Sequence, residues 1–330
     1  IRATVAFAGN DHRLGAQEAP PAIISIFLGD ELEGVVESII QGKNFHDQGK
    51  RQLLIGIDTL PPIPMDNTDR NRTSPMAFTG NKFEFRMLGS SQSISGPNIA
   101  LNTIMAQELR GFAEVLEKSK DFQKDLQALI KKTLTEHQRI VFNGNGYDVS
   151  WVEEAKRRGL SNLTSTAEAL PKYVDPRNVE LFVKNGIYTE EELYARYNIH
   201  VNTYNAQIAI EARTMDDMIR RQILPAVSAY TAELCRRMGD LKNAQMPMAY
   251  ETEICTKSAK LTDELLSSTQ KLEADMEKVP ENNEDAMRYY HRIIVKDMEA
   301  CRLAADQLEA ITDEKYWPFP VYSKLLFSEK

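Results

Sequence analysis

The sequence lacks the cysteine spacings of metal sites and the long apolar runs of membrane spans. Its three cysteines are Cys235, Cys255 and Cys301, and none of them forms a CxxC pair or a Cys/His ligand spacing. We therefore expect buried or inert thiols in a reducing cytosol. No apolar run reaches membrane-spanning length and no secretory leader is recognised, so a cytoplasmic protein without a membrane partner is expected.

Positive charge is also scarce. Lys and Arg total 40 against 48 Asp and Glu, which gives a formal net charge of -8 over the 330 residues. Proteins that bind nucleic acids generally need an excess of Lys and Arg to hold the phosphates, so no nucleic-acid partner is expected. A pocket with local positive charge remains compatible with this composition.

Several catalytic motifs are missing. The segment 144–146 (GNG) lacks the GxxxxGK[ST] frame and the preceding strand of a phosphate-binding loop. Neither GxSxG nor HExxH occurs, which argues against the corresponding hydrolases and zinc peptidases. Three loop aspartates are candidate cation ligands, although their spacing differs from that of an EF-hand loop: Asp58, Asp66 and Asp69.

The most informative segment present is the strand pattern Lys82-Phe83-Glu84-Phe85-Arg86. Successive side chains of a strand point to opposite faces, so the three charged residues share one face and the two rings share the other. The rings are expected to face a core. The charged face then lines either solvent or a site for metal-bound phosphate and carboxylate groups, in which Glu84 offers a hard oxygen ligand for Mg²⁺ or Mn²⁺. The pattern alone leaves both interpretations open.

Two loops carry further candidates. Segment 9–18 (GNDHRLGAQE) places the planar guanidinium of Arg13 and the carboxylate of Glu18 between glycines and a Pro-Pro pair. Such a loop can close over a pocket and exclude water, or can be a plain polar surface loop. Segment 71–74 (NRTS) holds Arg72, which is either a phosphate ligand or a salt-bridged loop residue.

The organisation of the chain changes near residue 119. Residues 1–118 mix loops with short strand patterns, among them Thr4–Ala8, and a helix is predicted over 30–41. From 119 to 330 helical periodicity dominates, with a long helix over Asn198–Leu241 that kinks near Pro225. Two further helices, at 250–279 and 283–312, are predicted to form an antiparallel pair.

Taken together, these segments resemble the glutamine synthetase family, specifically the C-terminal part of its type III class. The resemblance rests on GNDHRLGAQEAPPAI at 9–23 and NRTSPMAFTGNKFEFRMLGSSQSISGPNIALNTIMAQEL at 71–109. The stretches FNGNGYDVSWVEEAKRRG at 142–159 and YWPFPVYSKLLF at 316–327 are similar to type III members in particular. The resemblance implies an α+β chain in which 1–118 supplies closing antiparallel strands of the catalytic β-barrel and 119–330 forms a mostly helical C-terminal region.

Members of this family make glutamine from glutamate, ammonium and ATP with Mg²⁺ or Mn²⁺. The resemblance implies that Arg13 binds glutamate, that Glu18 closes the site and takes a proton from ammonium, and that Glu84 binds metal. The resemblance also implies that Arg86 binds the glutamate carboxylate and the phosphoryl group in transfer, and that Lys82 and Arg72 face the ATP phosphates. The family also implies a ring-shaped homo-oligomer, expected to be a dodecamer.

The sequence departs from the family pattern in informative places. Ala77 stands where type I enzymes carry a further arginine, and the loop from Arg13 to Glu18 is one residue shorter than in type I. The upstream β-grasp domain and most metal-ligand glutamates of the family are not among these residues. We therefore expect a C-terminal part of a longer protein that holds part of an active site and is inactive alone.

Two interpretations from other classes stay open. One is a non-catalytic helical assembly module whose charged strand is solvated surface. The other is a related carboxylate-amine ligase or guanidino kinase with another acceptor. The joint presence of Arg13, Glu18, Glu84 and Arg86 argues against the first, and the Glu18 flap, which suits ammonium, argues against the second.

Overall fold

The computed structural model describes residues 1–16, 19–45, 52–53, 63–64, 73–320 and 322–327. The chain divides into two compact units, Ile1–Tyr197 and Asn198–Lys330. The described part of the first unit holds short strands among helices, and that of the second is helical. The predicted domain division between residues 118 and 119 stays a prediction.

The first unit contains a small sheet whose strands are two or three residues long. Its strands are β1 (Ile26–Phe27), β4 (Met76–Phe78) and β5 (Phe83–Phe85), while β2 (Gln52–Leu53) pairs with β3 (Ile63–Pro64). Strand β1 pairs parallel to β4, and β4 pairs antiparallel to β5. Within the described residues the sheet does not close into a barrel, and the parallel pairing of β1 departs from the predicted antiparallel arrangement.

The other described elements of the first unit are helices and 3₁₀ turns. The helices are α1 (Ala8–Asp11), α2 (Asp30–Gln41), α3 (Ser95–Leu116), α4 (Phe122–His137), α5 (Val149–Arg157), α6 (Thr166–Ala169) and α7 (Pro176–Lys184), and α8 (Glu190–Met218) begins here. The 3₁₀ turns lie at Arg2–Val5, Gln138–Ile140 and Leu170–Val174. Helix α2 confirms the prediction over 30–41. Acidic residues in its first turn complement the helix dipole, and Gly42 ends it in the left-handed conformation at φ 68°.

The strand predicted at Thr4–Ala8 is wrong. The chain instead forms the 3₁₀ turn Arg2–Val5 and then enters α1. The side-chain amide of Asn10 donates to the carbonyl of Val5 at 2.8 Å, which folds this segment back on itself. A short apolar run cannot by itself distinguish an extended strand from such a buried turn.

The first unit has a stacked aromatic core near α5. Trp151 and Phe142 lie with ring centroids 3.7 Å apart, and the guanidinium of Arg158 lies 5.4 Å from the Trp151 ring. Ile23 and Ala155 complete this cluster. Because Ile23 follows the loop that carries Arg13, this packing anchors the carboxyl-terminal side of that loop.

The second unit is built from long helices interrupted by π turns. After α8 a π turn runs over Ile219–Ile223 and leads into α9 (Leu224–Asn243), in which Pro225 lies in the first turn. Proline lacks the amide that a helix interior needs and crowds the preceding turn, so a wider turn just before it relieves both problems. The predicted helix is present with this π turn directly before Pro225, and the predicted kink stays a prediction.

The predicted antiparallel pair is also confirmed, with a break in its second member. It consists of α10 (Ala249–Met276), then α11 (Asn283–Tyr289), a π turn at Tyr290–Ile294 and α12 (Val295–Glu309). The terminal helix α13 spans Tyr322–Phe327. Buried side chains recur at three- and four-residue spacing on the facing sides of α10 and α12: Leu261, Leu265, Leu272, Ile294, Met298, Cys301 and Leu308. Among the described helices, none is long and apolar enough to cross a bilayer.

The burial pattern of α12 predicts unequal effects of two leucine truncations. Leu308 is 0 % exposed and Leu303 is 66 % exposed. Leu308→Ala is expected to lower the opening free energy of α10 and α12 amides by about 2–5 kcal/mol, because it leaves a cavity. Leu303→Ala, the matched control, should change it by less than about 0.5 kcal/mol. Hydrogen exchange of peptides from both helices in the intact protein measures this; equal protection in the two variants would contradict the packing.

Candidate functional site

The charged strand lies in a tight hairpin. Strands β4 and β5 pair in the register Ala77 opposite Glu84 and Phe78 opposite Phe83. The turn between them closes through the Thr79 amide, which donates to the carbonyl of Lys82 at 2.9 Å. Gly80 adopts φ 98° there, a conformation that residues with a Cβ rarely take. The hairpin thereby fixes which face of β5 each side chain occupies.

The three predicted charged side chains do meet on one face. Lys82 Nζ lies 3.3 Å from Glu84 Oε1, and Arg86 Nη2 donates to Glu84 Oε2 at 3.1 Å. Exposure falls along the row, from 65 % at Lys82 and 38 % at Glu84 to 14 % at Arg86. The carboxylate is therefore held between two cations yet remains accessible, as a ligand-binding group must be.

The electrostatic consequence is clearest at the central carboxylate. The hydrogen bonds from Arg86 and then Lys82 hold the pKa of Glu84 below its ordinary value. The group is consequently ionised throughout the neutral range. It can serve as an oxygen ligand or a positioning anion there without first losing a proton.

The opposite face of the strand differs from the expectation. The rings of Phe83 and Phe85 were both predicted to face a core, but Phe83 is 53 % exposed. It packs on Phe78, with ring centroids 5.3 Å apart, at the end of the hairpin next to the turn. The projecting turn places this aromatic pair at the rim of the sheet, so the prediction for Phe83 is wrong.

Side chains from the glycine-bounded loop hold the end of the charged strand. Arg13 Nη1 donates to the carbonyl of Met87 at 3.1 Å, and its Nη2 donates to the carbonyl of Arg86 at 3.2 Å. Buried Asn10 donates to the same Met87 carbonyl at 2.9 Å and accepts from Arg13 Nη1 at 3.2 Å. The structure thus brings Arg13 next to Arg86, although the two are far apart in the sequence.

This arrangement gives Arg13 a positioning contact that the sequence did not reveal. A guanidinium has five N–H donors, and three of them are used by Asn10, Arg86 and Met87. In the described part of the chain the other two have no partner, so they remain for a ligand. Asn10 was not predicted as a site residue; a buried amide needs hydrogen-bond partners, but the sequence does not say which carbonyls provide them.

The loop that carries Glu18 is closed at its base. The amide of Gly15 donates to the carbonyl of Pro20 at 3.0 Å, and Gly15 adopts φ 77°. Pro20 and Pro21 are buried beyond this closure. Glu18 itself lies outside the described residues, so its predicted place over the site stays a prediction.

Arg72, the other predicted phosphate contact, also lies outside the described residues. Its neighbour Thr73 is buried, and the Thr73 carbonyl lies so close to Gly146 that a Cβ built there would approach that oxygen to 2.2 Å. Gly146 therefore cannot be replaced without moving one of the two backbones. Segment 144–146, which does not match a phosphate-binding loop, therefore packs closely against the backbone at Thr73.

The described residues meet the needs of a divalent cation only in part. They contain no group of three or more His, Cys, Asp or Glu side chains that could hold a metal ion. At the charged strand Glu84 is the single carboxylate of the row, whereas Mg²⁺ takes six oxygens. Asp58, Asp66 and Asp69 lie outside the described residues. Glu84 fits one position of a metal site whose other oxygens must come from elsewhere.

The charge of the cluster indicates what it attracts. Arg13, Lys82 and Arg86 carry three positive charges against one negative charge on Glu84, which leaves a formal charge of +2 in a protein of net charge -8. The guanidinium groups and the Lys82 ammonium suit an anion such as a carboxylate or phosphate. A divalent cation could bridge that anion to the Glu84 carboxylate. Ala77, the cross-strand neighbour of Glu84, adds no charge to this row.

Comparison with protein families assigns part of the chain to one of them. Residues 125–242, from α4 to α9, match the family model described as the glutamine synthetase C-terminal domain. This segment covers the helices that follow the charged hairpin rather than the hairpin itself.

Curated relatives extend the similarity to the whole chain. A type-3 glutamine synthetase of Dictyostelium discoideum is 40% identical over 99% of this chain and 46% of its own length. A glutamine synthetase of Butyrivibrio fibrisolvens is 37% identical over 99% of this chain and 47% of its own length. One of Bacteroides fragilis is 34% identical over 100% of this chain and 47% of its own length. The chain spans about half the length of the curated relatives it matches, and over nearly its whole length it is similar to these glutamine synthetases.

Proposed function

We propose that the protein of which this chain is part ligates ammonia to glutamate at the expense of ATP and gives glutamine. The observation that carries the proposal is the pair of hydrogen bonds from Arg13 to the carbonyls of Arg86 and Met87. They bring the loop resembling the family's flap segment to the strand resembling its metal-binding strand. The relatives, all named glutamine synthetases, support the same reaction.

Substrate glutamate is proposed to bind at the two arginines. Arg13 keeps two N–H donors for a carboxylate, and Arg86 lies beside it and is mostly buried. Bidentate guanidinium contacts fix the orientation of a carboxylate as well as its position. We propose that Arg86 also holds the phosphoryl group as it moves to the γ-carboxylate, where its charge opposes the negative charge that develops.

ATP and a divalent cation, Mg²⁺ or Mn²⁺, are proposed as the cofactors. Glu84 would hold the metal through one carboxylate oxygen, and Lys82 and Arg72 would contact the nucleotide phosphates. When bound, the nucleotide supplies the phosphoryl group and the metal neutralises phosphate charge. Ala77 opposite Glu84 leaves this chain without the further arginine of the type I pattern.

Glu18 is proposed to close the site and to take a proton from ammonium. The hydrogen bond from the Gly15 amide to the Pro20 carbonyl holds the two ends of the Glu18 loop together. Only a short segment therefore has to move to close the site. A closed loop excludes water, which would otherwise hydrolyse the activated γ-carboxylate.

Three larger-scale proposals accompany this reaction. We propose that the sheet of β1, β4 and β5 belongs to a catalytic β-barrel that strands outside the described residues complete. We propose that the protein forms a ring-shaped homo-oligomer, a dodecamer, and that the helices after residue 118 contribute to its contacts. A cytoplasmic location is proposed from the sequence composition.

The first test replaces the central carboxylate in the full-length protein. Glu84→Gln keeps the side-chain size but removes the charge. Glutamine formation is expected to fall about 100-fold or more, and the Mg²⁺ concentration for half-maximal rate to rise. Glu233→Gln is the matched control, because Glu233 also lies between two cations, Arg236 and Arg237, whose hydrogen bonds lower its pKa to about 2. Equal Mg²⁺ titrations for wild type and Glu84→Gln would remove Glu84 from the metal site.

The second test concerns the flap. Glu18→Ala is expected to leave ATP affinity unchanged and to lower the rate of glutamine formation about 100-fold, because the proton acceptor for ammonium is lost. Gln17→Ala, its neighbour in the same loop, serves as the control and should keep the wild-type rate. Isothermal titration with ATP and a steady-state assay separate the two effects. Wild-type turnover in Glu18→Ala would show that the flap works through another residue.

A further inference from the structure

Two cysteines meet where the helices α9 and α10 pack. Cys235 Sγ on α9 lies 3.4 Å from Cys255 Sγ on α10, although 20 positions separate them in the sequence. Cys235 is exposed and Cys255 is half-buried, whereas Cys301 is buried. The expected burial is therefore confirmed for Cys301, whereas Cys235 and Cys255 are not buried.

The register of the helical hairpin fixes this encounter. One turn away, the hydroxyl groups of Thr231 and Ser258 form a hydrogen bond at 2.8 Å. The pairs 231 with 258 and 235 with 255 run in opposite directions along the two helices, which shows that α9 and α10 are antiparallel. Ser258 is fully buried, so its hydrogen bond is shielded from water and holds the register at the cysteines.

The two thiols differ in their surroundings. Burial, and next the contact with Cys235, raise the pKa of Cys255 above its ordinary value. Cys235 is the exposed member of the pair and can meet a reagent from solvent. Since a thiolate is the attacking species in disulfide exchange, Cys235 is the thiol that reacts first and Cys255 is the one that resolves.

We propose that Cys235 and Cys255 form a redox modification site that closes to an intrachain disulfide on exposure to a small disulfide oxidant such as oxidised glutathione. The Cys235 thiolate attacks one sulfur of the oxidant, forms a mixed disulfide and releases one glutathione thiolate. Cys255 then loses its proton and attacks Cys235 Sγ, and the second glutathione leaves. The two cysteines lose two protons and two electrons in all, and the oxidant takes up both and becomes two thiols.

The geometry favours closure within the chain. A disulfide has sulfurs about 2.0 Å apart, so each sulfur must move by less than about 1 Å from its present place. Exposure keeps the site open to reducing thiols too, so the bond is expected to be reversible, as labile disulfides of reducing compartments are. This proposal is independent of the proposed ligase activity.

Peptide mapping of the full-length protein tests the proposal. The native protein is incubated with oxidised glutathione, remaining thiols are alkylated, and trypsin is added without reductant. Trypsin cuts after Arg221 and Arg236, which places Cys235 in peptide 222–236, and after Lys242 and Lys257, which places Cys255 in peptide 243–257. These two peptides can appear as one species only through a disulfide.

The expected result is a linked species whose mass is the sum of the two peptides less two hydrogen atoms, together with loss of both separate peptides. Dithiothreitol should restore them. Cys301→Ser, the matched control, should give the same linked species, and Cys235→Ser should abolish it. In non-reducing electrophoresis the oxidised protein should run at the monomer position.

Two results would overturn the proposal. In one, Cys235 and Cys255 are recovered only as alkylated or glutathione-bound peptides in wild-type protein, at every oxidant concentration. In the other, the linked peptides come only from chains joined to each other, as shown by a dimer band or by mixing isotopically labelled and unlabelled protein. Because both readouts use wild-type protein, neither depends on the folding of a variant.

Discussion

The backbone carbonyls of Arg86 and Met87 are the point on which the candidate site depends. Arg13 and Asn10 both donate to Met87, and Arg13 also donates to Arg86. These bonds join a loop near residue 10 to a strand near residue 85. They place the guanidinium of Arg13 at the end of the strand on which Lys82, Glu84 and Arg86 share a face.

Much of this site was predictable from local patterns. The two-residue period of β5 predicted that Lys82, Glu84 and Arg86 share a face, and the ion pairs at Glu84 confirm it. Helix α2 and the interruption before Pro225 follow from charge, capping and the missing proline amide, which are properties of neighbouring residues. Family resemblance then supplied what the patterns left open, because no spacing in the sequence says which ligand a charged face binds.

The features that escaped prediction depend on contacts between distant segments. The exposure of Phe83 follows from the end of a hairpin, and the turn at Arg2–Val5 follows from a bond to Asn10. The pairing of Cys235 with Cys255 depends on the register of two long helices, which the Thr231–Ser258 hydrogen bond sets. A residue-by-residue scan for ligand spacing cannot find a pair that only helix packing brings together. The family model matches the helices at 125–242, which include Cys235 but not Cys255.

We propose that the face of β5 that carries Glu84, whose end Arg13 holds in place, is one wall of a metal and nucleotide site. The most direct measurement is an anomalous difference map from crystals of the full-length protein grown with Mn²⁺ and a non-hydrolysable ATP analogue. We expect a Mn²⁺ peak within about 2.0–2.6 Å of a Glu84 carboxylate oxygen, the distance range of metal–oxygen bonds. A fully occupied Mn²⁺ site elsewhere, with Glu84 still paired to Lys82 and Arg86 and bound to no metal, would contradict this proposal.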